Sequence, residues 1–283
     1  KNLVDTGVVD GWDDPRLPTI SGLRRRGYTP QSIRNFAQRI GVSKVDSIVD
    51  HGFLEYCLRE DLNENAPRAM AILDPLKLII DNYPEDKVDY CTVNNHPKKP
   101  EMGTHEAPFR KEIWIEREDF EGDPPKKYFR LFPGNEVRLN SAYIVKCTGY
   151  DQDEDGNITA VHADYDPESF GGSAADGRKI KGTIHWVSVE DAVKAEIRLY
   201  NDLFTVENPD GDEREYTELI NPDSMEVIET AYLEPWLAEQ TDPEMRYQFM
   251  RKGYFCEDNH YSTPENKVFN RTVTLRDTYK PQN

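Results

Sequence analysis

The amino-acid sequence predicts a mainly β protein that begins with a helical subdomain. Up to about residue 66 the apolar residues recur at helical spacing, whereas after Pro67 they form short β-branched and aromatic runs separated by turn signals. No long helix is indicated between those runs, and this pattern is typical of closed or partly closed antiparallel barrels. A chain of 283 residues is long enough for two or three packed units.

Composition indicates a folded, soluble chain with an acidic exterior. Hydrophobic residues make up 37% and aromatic residues 11%, and neither a membrane-length apolar run nor a charged-then-apolar leader is found. The formal net charge is −18, but residues 1–70 carry as many basic as acidic residues, whereas residues 151–283 carry 13 basic and 29 acidic ones. An acidic exterior can coexist with an arginine-lined groove, and it would discourage indiscriminate RNA binding.

The helical region opens with the stretch GWDDPRLPTISGLRRRGY, residues 11–28. Its prolines predict a rigid turn, and a short helix follows that carries Arg24, Arg25 and Arg26 just before a glycine stop. Consecutive helical residues point about 100° apart, so these arginines cannot share one face and at least one faces outward. The ordinary interpretation is that their charge complements the helix dipole.

Two more helices are predicted before residue 67. The first begins at an N-cap Thr29 with Pro30 at its first position, repeats apolar residues at i, i+3, i+4 and i+7, and ends at Gly41. The second carries an apolar stripe from Leu54 to Leu62. Both stripes are typical of a small helical bundle whose apolar faces form a core.

Short strands are predicted along the rest of the chain, with turns at Pro133-Gly134, Asp155-Gly156-Asn157 and Gly171-Gly172. They cover residues 76–80, 113–115, 128–131, 136–139, 143–147, 182–187, 196–200, 225–228, 247–249, 254–256 and 268–275.

The motifs of common catalytic centres are not found in the sequence. No phosphate-binding loop, zinc-protease motif or serine-hydrolase motif occurs. The six histidines are isolated from one another, and the four cysteines form no C-x-x-C pair. We therefore predict no catalytic residue, no metal site and no cofactor in this chain, and we expect the cysteines to be reduced and buried.

RNA recognition is the chemistry that the arginines suit best. Arg68 follows a break at the junction of the helical and β regions, and Arg130 and Arg138 flank the Pro133-Gly134 turn. A guanidinium group can pair with and stack on unstacked loop bases, whereas a lysine acts as a point charge. The ordinary alternative for each arginine is a surface ion pair worth roughly 0–1 kcal/mol.

The stretch at residues 11–28 resembles the segment that follows the catalytic domain in glutaminyl-tRNA synthetases and their eukaryotic and archaeal glutamyl relatives. The resemblance spans nearly the whole chain. It continues through LREDLNENAPRAMAILDPLKL (58–78), NHPKKPEMG (95–103), GTIHWVS (182–188) and VFNRTVTLRDT (268–278).

That resemblance implies a fold and a set of domain boundaries. It implies two tandem antiparallel barrels of the ribosomal-protein-L25-like, anticodon-binding type. We expect a helical connecting subdomain at residues 1–66, a proximal barrel at 67–170 completed by 260–283, and a distal barrel at 171–259.

The resemblance also implies the residues that contact tRNA. In the family the anticodon bases are held between the two barrels. The contacts to the middle base fall on Arg68, Gln248 and Arg251, and the contacts to the third and first bases fall on Arg130 and Arg138. Contacts inside the bend of the tRNA fall on Ser43 and Lys44. The chain departs from the bacterial pattern at Lys98, Lys127 and Phe129, where an asparagine, a glutamine and a lysine are expected.

The function implied by the resemblance is anticodon recognition as the C-terminal part of a glutaminyl-tRNA synthetase. This chain alone would be inactive, and ATP with Mg²⁺ would act in a catalytic domain that precedes Lys1. The expected partner is glutamine tRNA, with no membrane, in a cytoplasmic monomer. The alternatives are the tail of a eukaryotic or archaeal glutamyl-tRNA synthetase and a stand-alone rRNA-binding barrel protein.

Overall fold

The structure, a computed structural model, describes residues 1–44, 48–240, 242 and 244–276. The chain divides into two compact units. The first unit comprises Lys1–Pro67, Glu196–Glu229 and Asp242–Asn283, and the second comprises Arg68–Ala195 and Thr230–Thr241.

Most of the regular structure in the described residues is β. The helices are α1 (Asn2–Asp5), α2 (Ile20–Arg26), α3 (Pro30–Ile40), α4 (His51–Asn65) and α5 (Pro235–Glu239). The strands are β1 (Arg68–Ala69), β2 (Ala71–Ile72), β3 (Pro75–Ile80), β4 (Asp89–Asn94), β5 (Thr104–Phe109), β6 (Glu112–Glu116), β7 (Glu136–Leu139), β8 (Ile144–Gln152), β9 (Ile158–Tyr165), β10 (Thr183–Ile184), β11 (Trp186–Ser188), β12 (Val193–Tyr200), β13 (Met225–Leu233), β14 (Arg246–Phe249), β15 (Gly253–Glu257) and β16 (Lys267–Val273). The predicted mainly β fold with N-terminal helices is confirmed.

Helix α3 begins and ends, and helix α2 ends, at the residues that the sequence indicates. The Thr29 hydroxyl caps α3 by accepting the Ser32 N–H at 3.0 Å, Pro30 is the first helical residue, and Gly41 follows the last. Helix α2 ends at Gly27, whose φ of +107° favours glycine. A Cβ at position 27 would also overlap the hydroxyl of Thr272, so the end of α2 lies directly against β16.

An apolar core joins these helices to the sheet of the first unit. The core consists of buried side chains from α2, α4, β15, β16 and the segments beside them: Leu23, Tyr28, Leu54, Leu58, Leu62, Ala66, Tyr254 and Val273. The strands of this unit neighbour one another in the order β14-β15-β16-β12-β13. Burial of large side chains at roughly 25 cal/mol per Å² is the main stabilising contribution to such a core.

Strand β16 lies in the segment 260–283 that was predicted to complete the barrel of residues 67–170. It pairs antiparallel with β15 and neighbours β12, within the first unit. Residues 277–283 of that segment lie outside the described residues. The domain boundaries themselves stay a prediction.

The second unit contains a seven-stranded sheet that is nearly closed into a barrel. Its order is β10-β7-β8-β9-β3-β6-β11. The two edge strands, β10 and β11, are separated in sequence by His185 alone, so one short segment forms both edges. The imidazole Nε2 of His185 lies 2.9 Å from the carbonyl oxygen of Ala71 and is almost fully buried. We call residues 183–188 the seam.

Two details of this sheet differ from the sequence prediction. Strands β3 and β9 are parallel, as are β7 and β10, so the sheet is mixed and not purely antiparallel. Residues 128–131 do not form a strand, because only Leu131 finds a bridge, a parallel one to Phe120. The positive φ of Lys127 turns the backbone immediately before this run.

Two further observations concern the described residues as a whole. No helix among them is both long enough and apolar enough to cross a membrane. All four cysteines are free and buried, as predicted, and burial raises the pKa of the Cys91 thiol to about 12.

Candidate nucleic-acid interface

Arg68 begins the short strand β1 and is held through its backbone. Its N–H donates to the carbonyl oxygen of Asn95 at 2.7 Å, while its side chain is half-buried. Among the described residues, no carboxylate lies within ion-pair distance of this guanidinium. The backbone is therefore fixed while the charged group stays available to a ligand.

A buried network supports β1 from the other side of the strand. Glu234 Oε1 accepts the N–H of Met70 at 2.7 Å, and Glu234 Oε2 lies 3.0 Å from His105 Nε2. His105 Nδ1 lies 2.6 Å from Asn95 Oδ1, and the amide nitrogen of Asn95 donates to Met102. Asn95 Oδ1 can only accept, so His105 Nδ1 donates to it. This network links Asn95, which accepts the N–H of Arg68 in β1, to Glu234, which accepts the N–H of Met70 directly after β1.

Arg138, on β7, is positioned by the segment around Gly182. Its N–H donates to the Gly182 carbonyl at 2.9 Å, its Nη1 donates to the Thr183 hydroxyl at 3.3 Å, and its Nε donates to the Gly172 carbonyl. A Cβ at position 182 would overlap the carbonyl oxygen of Phe129, so the two backbones are in contact. Gly182 thus brings the Arg138 strand and the 129–130 segment together.

Arg130 differs from Arg68 and Arg138 because its guanidinium is already paired with a carboxylate. Its Nη1 lies 3.1 Å from Oδ1 of the fully buried Asp119 and donates to the Glu118 carbonyl at 2.9 Å. The side chain is 38% exposed. Its other N–H groups have no protein acceptor in the part of the chain that the structure describes. Arg130 therefore neutralises a buried carboxylate and still presents donors to solvent.

Gln248 and Arg251 belong to the first unit. Gln248, on β14, donates its N–H to the carbonyl oxygen of Pro67 at 2.8 Å, which ties it to the residue that precedes Arg68 in the chain. Its side-chain nitrogen donates to the Tyr254 hydroxyl at 3.3 Å. Arg251 lies in the turn after β14 with φ +64°, and its side chain is exposed.

Ser43 and Lys44 lie in the connection between α3 and α4, and both are exposed. They end the first described segment of the chain.

The arginines of α2 are engaged by carboxylates of the first unit. Arg24 pairs with Glu244 at 2.7 Å, Arg25 with Asp258 at 3.1 Å and Arg26 with Glu55 at 4.0 Å. Asp258 is fully buried, and burial alone would raise its pKa. Hydrogen bonds from Arg25 and Asn270 outweigh that effect, so the pKa of Asp258 is lowered.

Comparison with known proteins identifies the family. Two models described as tRNA synthetases class I (E and Q), anti-codon binding domain, match residues 66–166 and 183–258, and the catalytic-domain model of the same group matches residues 1–64. The chain belongs to the class I tRNA synthetases of the E and Q group. It is 56% identical over 277 residues to the glutamine–tRNA ligase of Vibrio cholerae and 55% identical over 280 residues to that of Cupriavidus metallidurans. These alignments cover 98% and 99% of the chain but 49% and 48% of the relatives, so the chain spans about half their length.

The matches group the candidate residues of this class I synthetase chain. Arg68, Arg130 and Arg138 fall in the first anticodon-binding match, and Gln248 and Arg251 fall in the second. The connection with Ser43 and Lys44 falls in the catalytic-domain match, although the sequence predicted a separate connecting subdomain there. Within the described ranges, no cluster of three or more His, Cys, Asp or Glu side chains could hold a metal ion.

Sequence reasoning missed two features of this synthetase chain. The His105–Glu234 network was missed because histidines scattered in sequence show no pattern, and the pairing of β4 with β5 is needed to place His105 opposite the Asn95 region. Lys181 was also missed, although it directly precedes the GTIHWVS motif that carries the family resemblance.

Proposed function

We propose that this chain recognises the anticodon of glutamine tRNA as part of a glutamine–tRNA ligase. The observation that carries the proposal is Arg68. Its backbone is fixed by Asn95, and its guanidinium has no carboxylate within ion-pair distance in the described chain. It also lies at the start of the anticodon-binding match. A fixed backbone with an available planar fork is the arrangement that base-edge recognition requires.

The proposed roles follow the residues named from the sequence. Arg68, with Gln248 and Arg251, binds the middle anticodon base, and Arg130 and Arg138 bind the third and first bases. Ser43 and Lys44 contact the inside of the tRNA bend. The departures from the bacterial pattern at Lys98, Lys127 and Phe129 bring peripheral contacts into question and leave the five anticodon-binding positions intact.

The finer architecture belongs to the same proposal. The barrels are of the ribosomal-protein-L25-like type, arranged in tandem along the chain. The proposed boundaries are a helical subdomain at 1–66, a proximal barrel at 67–170 with 260–283, and a distal barrel at 171–259. The mixed sheet of the second unit and the pairing of β16 with β15 are the structural facts that any boundary must accommodate.

The activity of the full-length protein is proposed on the same basis. It ligates glutamine to its tRNA with ATP and Mg²⁺, acts as a monomer and is located in the cytoplasm. ATP supplies the activation of glutamine, and we assign no residue of this chain to that step. The work of this chain is binding and discrimination.

The test is the substitution of Arg68. Arg68→Ala should weaken binding of glutamine tRNA by about 1–3 kcal/mol and reduce discrimination against substituted middle bases, because one base-edge contact is lost. Arg68→Lys should recover little, since lysine keeps the charge but not the fork. Affinity is measured for tRNA with the cognate and the substituted middle base, together with thermal unfolding of each variant.

The matched control is Arg110→Ala. Arg110 lies in the same unit but is paired with Asp191 at 2.7 Å, so its loss should leave base preference unchanged. If Arg68→Ala discriminates middle bases as well as the unmodified chain does, Arg68 does not read that base.

A further inference from the structure

Phe129 presents an aromatic ring at the surface beside the candidate arginines. The residue is 50% exposed, and Lys181 Nζ lies 5.1 Å from the centre of its ring. Single exposed apolar side chains are common on proteins and need no explanation. An exposed ring next to a cation is the combination that binds a nucleotide, because the ring stacks on the base and the cation attracts the phosphate.

Gly182 lies between the backbone of Phe129 and that of Arg138. The backbone of Gly182 touches the carbonyl of Phe129, and the Gly182 carbonyl accepts the N–H of Arg138. The neighbours of Gly182 face the two sides of this contact, with Lys181 over the Phe129 ring and Thr183 bonded to the Arg138 guanidinium. The ring, its lysine and Arg138 are therefore assembled by three consecutive residues.

The charges around the ring favour a polyanion. Within the described residues, no carboxylate lies within ion-pair distance of Lys181 or Arg138. Arg178, only three residues before Lys181, is held by three carboxylates, at distances between 2.7 and 3.1 Å. The chain has a net charge of −18, yet Lys181 and Arg138 lie beside an exposed ring without a carboxylate partner. This surface is therefore locally more basic than the chain as a whole. Because RNA is a polyanion, charge complementarity favours RNA as the ligand of the surface formed by Phe129, Lys181 and Arg138.

We propose that the Phe129 ring stacks on one unpaired base of the anticodon loop while Lys181 contacts the phosphate of that nucleotide. This inference rests on the proposed function and deepens it. The contact adds affinity with little base selectivity, because every base has a face that can stack.

The test uses the 283-residue chain and an anticodon stem-loop RNA of glutamine tRNA, with 2-aminopurine placed at each loop position in turn. Phe129→Ala should weaken binding about 5- to 140-fold, the range for loss of one base-aromatic stack. It should also change the fluorescence of the bound RNA at one loop position far more than at the others. Phe129→Trp should restore both readouts, since indole stacks at least as well.

Two further variants separate stacking from charge. Phe129→Lys should keep part of the RNA affinity at low salt, because the added lysine can contact a phosphate. Binding should also become more salt-dependent, and the slope of log K against log salt should be steeper by about 0.7 for that one added contact. It should not restore the position-specific fluorescence. Lys181→Ala should make that slope shallower by a similar amount. Tyr90→Ala, which removes a 64% exposed ring from β4 of the same unit, is the matched control and should change neither readout.

The outcomes distinguish this inference from the function on which it rests. If Phe129→Ala leaves affinity and the fluorescence profile unchanged while Arg68→Ala still weakens binding, the stacking inference is wrong and the proposed function stands. A surface that binds a protein partner would give that result. If the unmodified chain does not bind the stem-loop at low salt, the proposed function fails, and the inference fails with it.

Discussion

Two sets of basic residues in this chain have opposite surroundings. The arginines of α2 in the first unit each face a carboxylate, and the partner of Arg25 is fully buried. In the second unit, Arg68, Arg138 and Lys181 have no carboxylate within ion-pair distance among the described residues. A run of three arginines is the more conspicuous feature of the sequence, yet the paired set stabilises the fold and the unpaired set is available for RNA. Charge pairing distinguishes these two sets, and Arg130 lies between them because it pairs with Asp119 and still presents donors to solvent.

The largest effect expected from this comparison is on stability. Arg25→Ala removes the cation that faces the buried Asp258 and should lower the free energy of unfolding by about 3 kcal/mol, because an uncompensated buried charge remains. The Asn270 amide still donates to Asp258 at 2.8 Å, which keeps the loss near the lower end of the usual range. Chemical denaturation measures it. Arg24→Ala, at a pair whose side chains are 72% and 52% exposed, should leave the free energy of unfolding almost unchanged.

The second effect is on RNA binding. Arg138→Ala should weaken binding of glutamine tRNA by about 1–3 kcal/mol, because Arg138 has no carboxylate to leave unpaired and contributes a base-edge contact. The control is Arg117→Ala in the same unit, where the arginine pairs with Asp74 at 3.4 Å. Equal losses of tRNA affinity in the two variants would contradict the division into paired and unpaired cations.

In the second unit, the paired cation His162 is also expected to contribute to the free energy of unfolding. His162 lies between Asp81 at 2.9 Å and Asp151 at 3.0 Å, and these hydrogen bonds raise its pKa. Because the pKa is higher in the folded than in the unfolded state, the stabilisation is complete below about pH 6.5 and is lost as pH rises through the folded-state pKa. His162→Gln should therefore destabilise the chain more at about pH 5.5 than at about pH 8.5.

Unfolding of both proteins at the two pH values checks this prediction, and tRNA affinity should not change with the substitution. The side chain is 29% exposed, so solvent screening keeps the effect small. A destabilisation that does not depend on pH would show that His162 contributes packing only.

Local signals in the sequence predicted the helices well, because caps act over a few residues. Thr29, Pro30 and Gly41 each occupy the predicted position of α3. Strands depend on neighbours that are distant in sequence, and here prediction was uneven. Strands β1, β2, β4, β5 and β9 were missed, whereas residues 128–131 have strand-like composition but no neighbouring strand to pair with.

The candidate site also has a part that could be predicted from the sequence and a part that could not. The family resemblance supplied the residue numbers, and those assignments stay predictions. The surroundings of each residue could not be read from the sequence, because they depend on tertiary contacts. The buried Asp119 that bonds Arg130 is eleven residues away along the chain, and the Glu234 that supports β1 follows Met70 by 164 residues.

The seam gives the second unit an unusual dependence between folding and binding. Residues 183–188 supply both edges of the sheet, and residues 181–183 also assemble Phe129, Lys181 and Arg138. Opening the seam breaks the hydrogen bonds that the amides of Arg138 and Asn140 donate to Gly182 and Ile184. The same opening separates Phe129, Lys181 and Arg138 from one another. A ligand that binds Phe129, Lys181 and Arg138 together stabilises the closed barrel, and it must therefore slow hydrogen exchange at the amides of Arg138 and Asn140. Closure of the barrel and binding of the ligand are thus thermodynamically coupled.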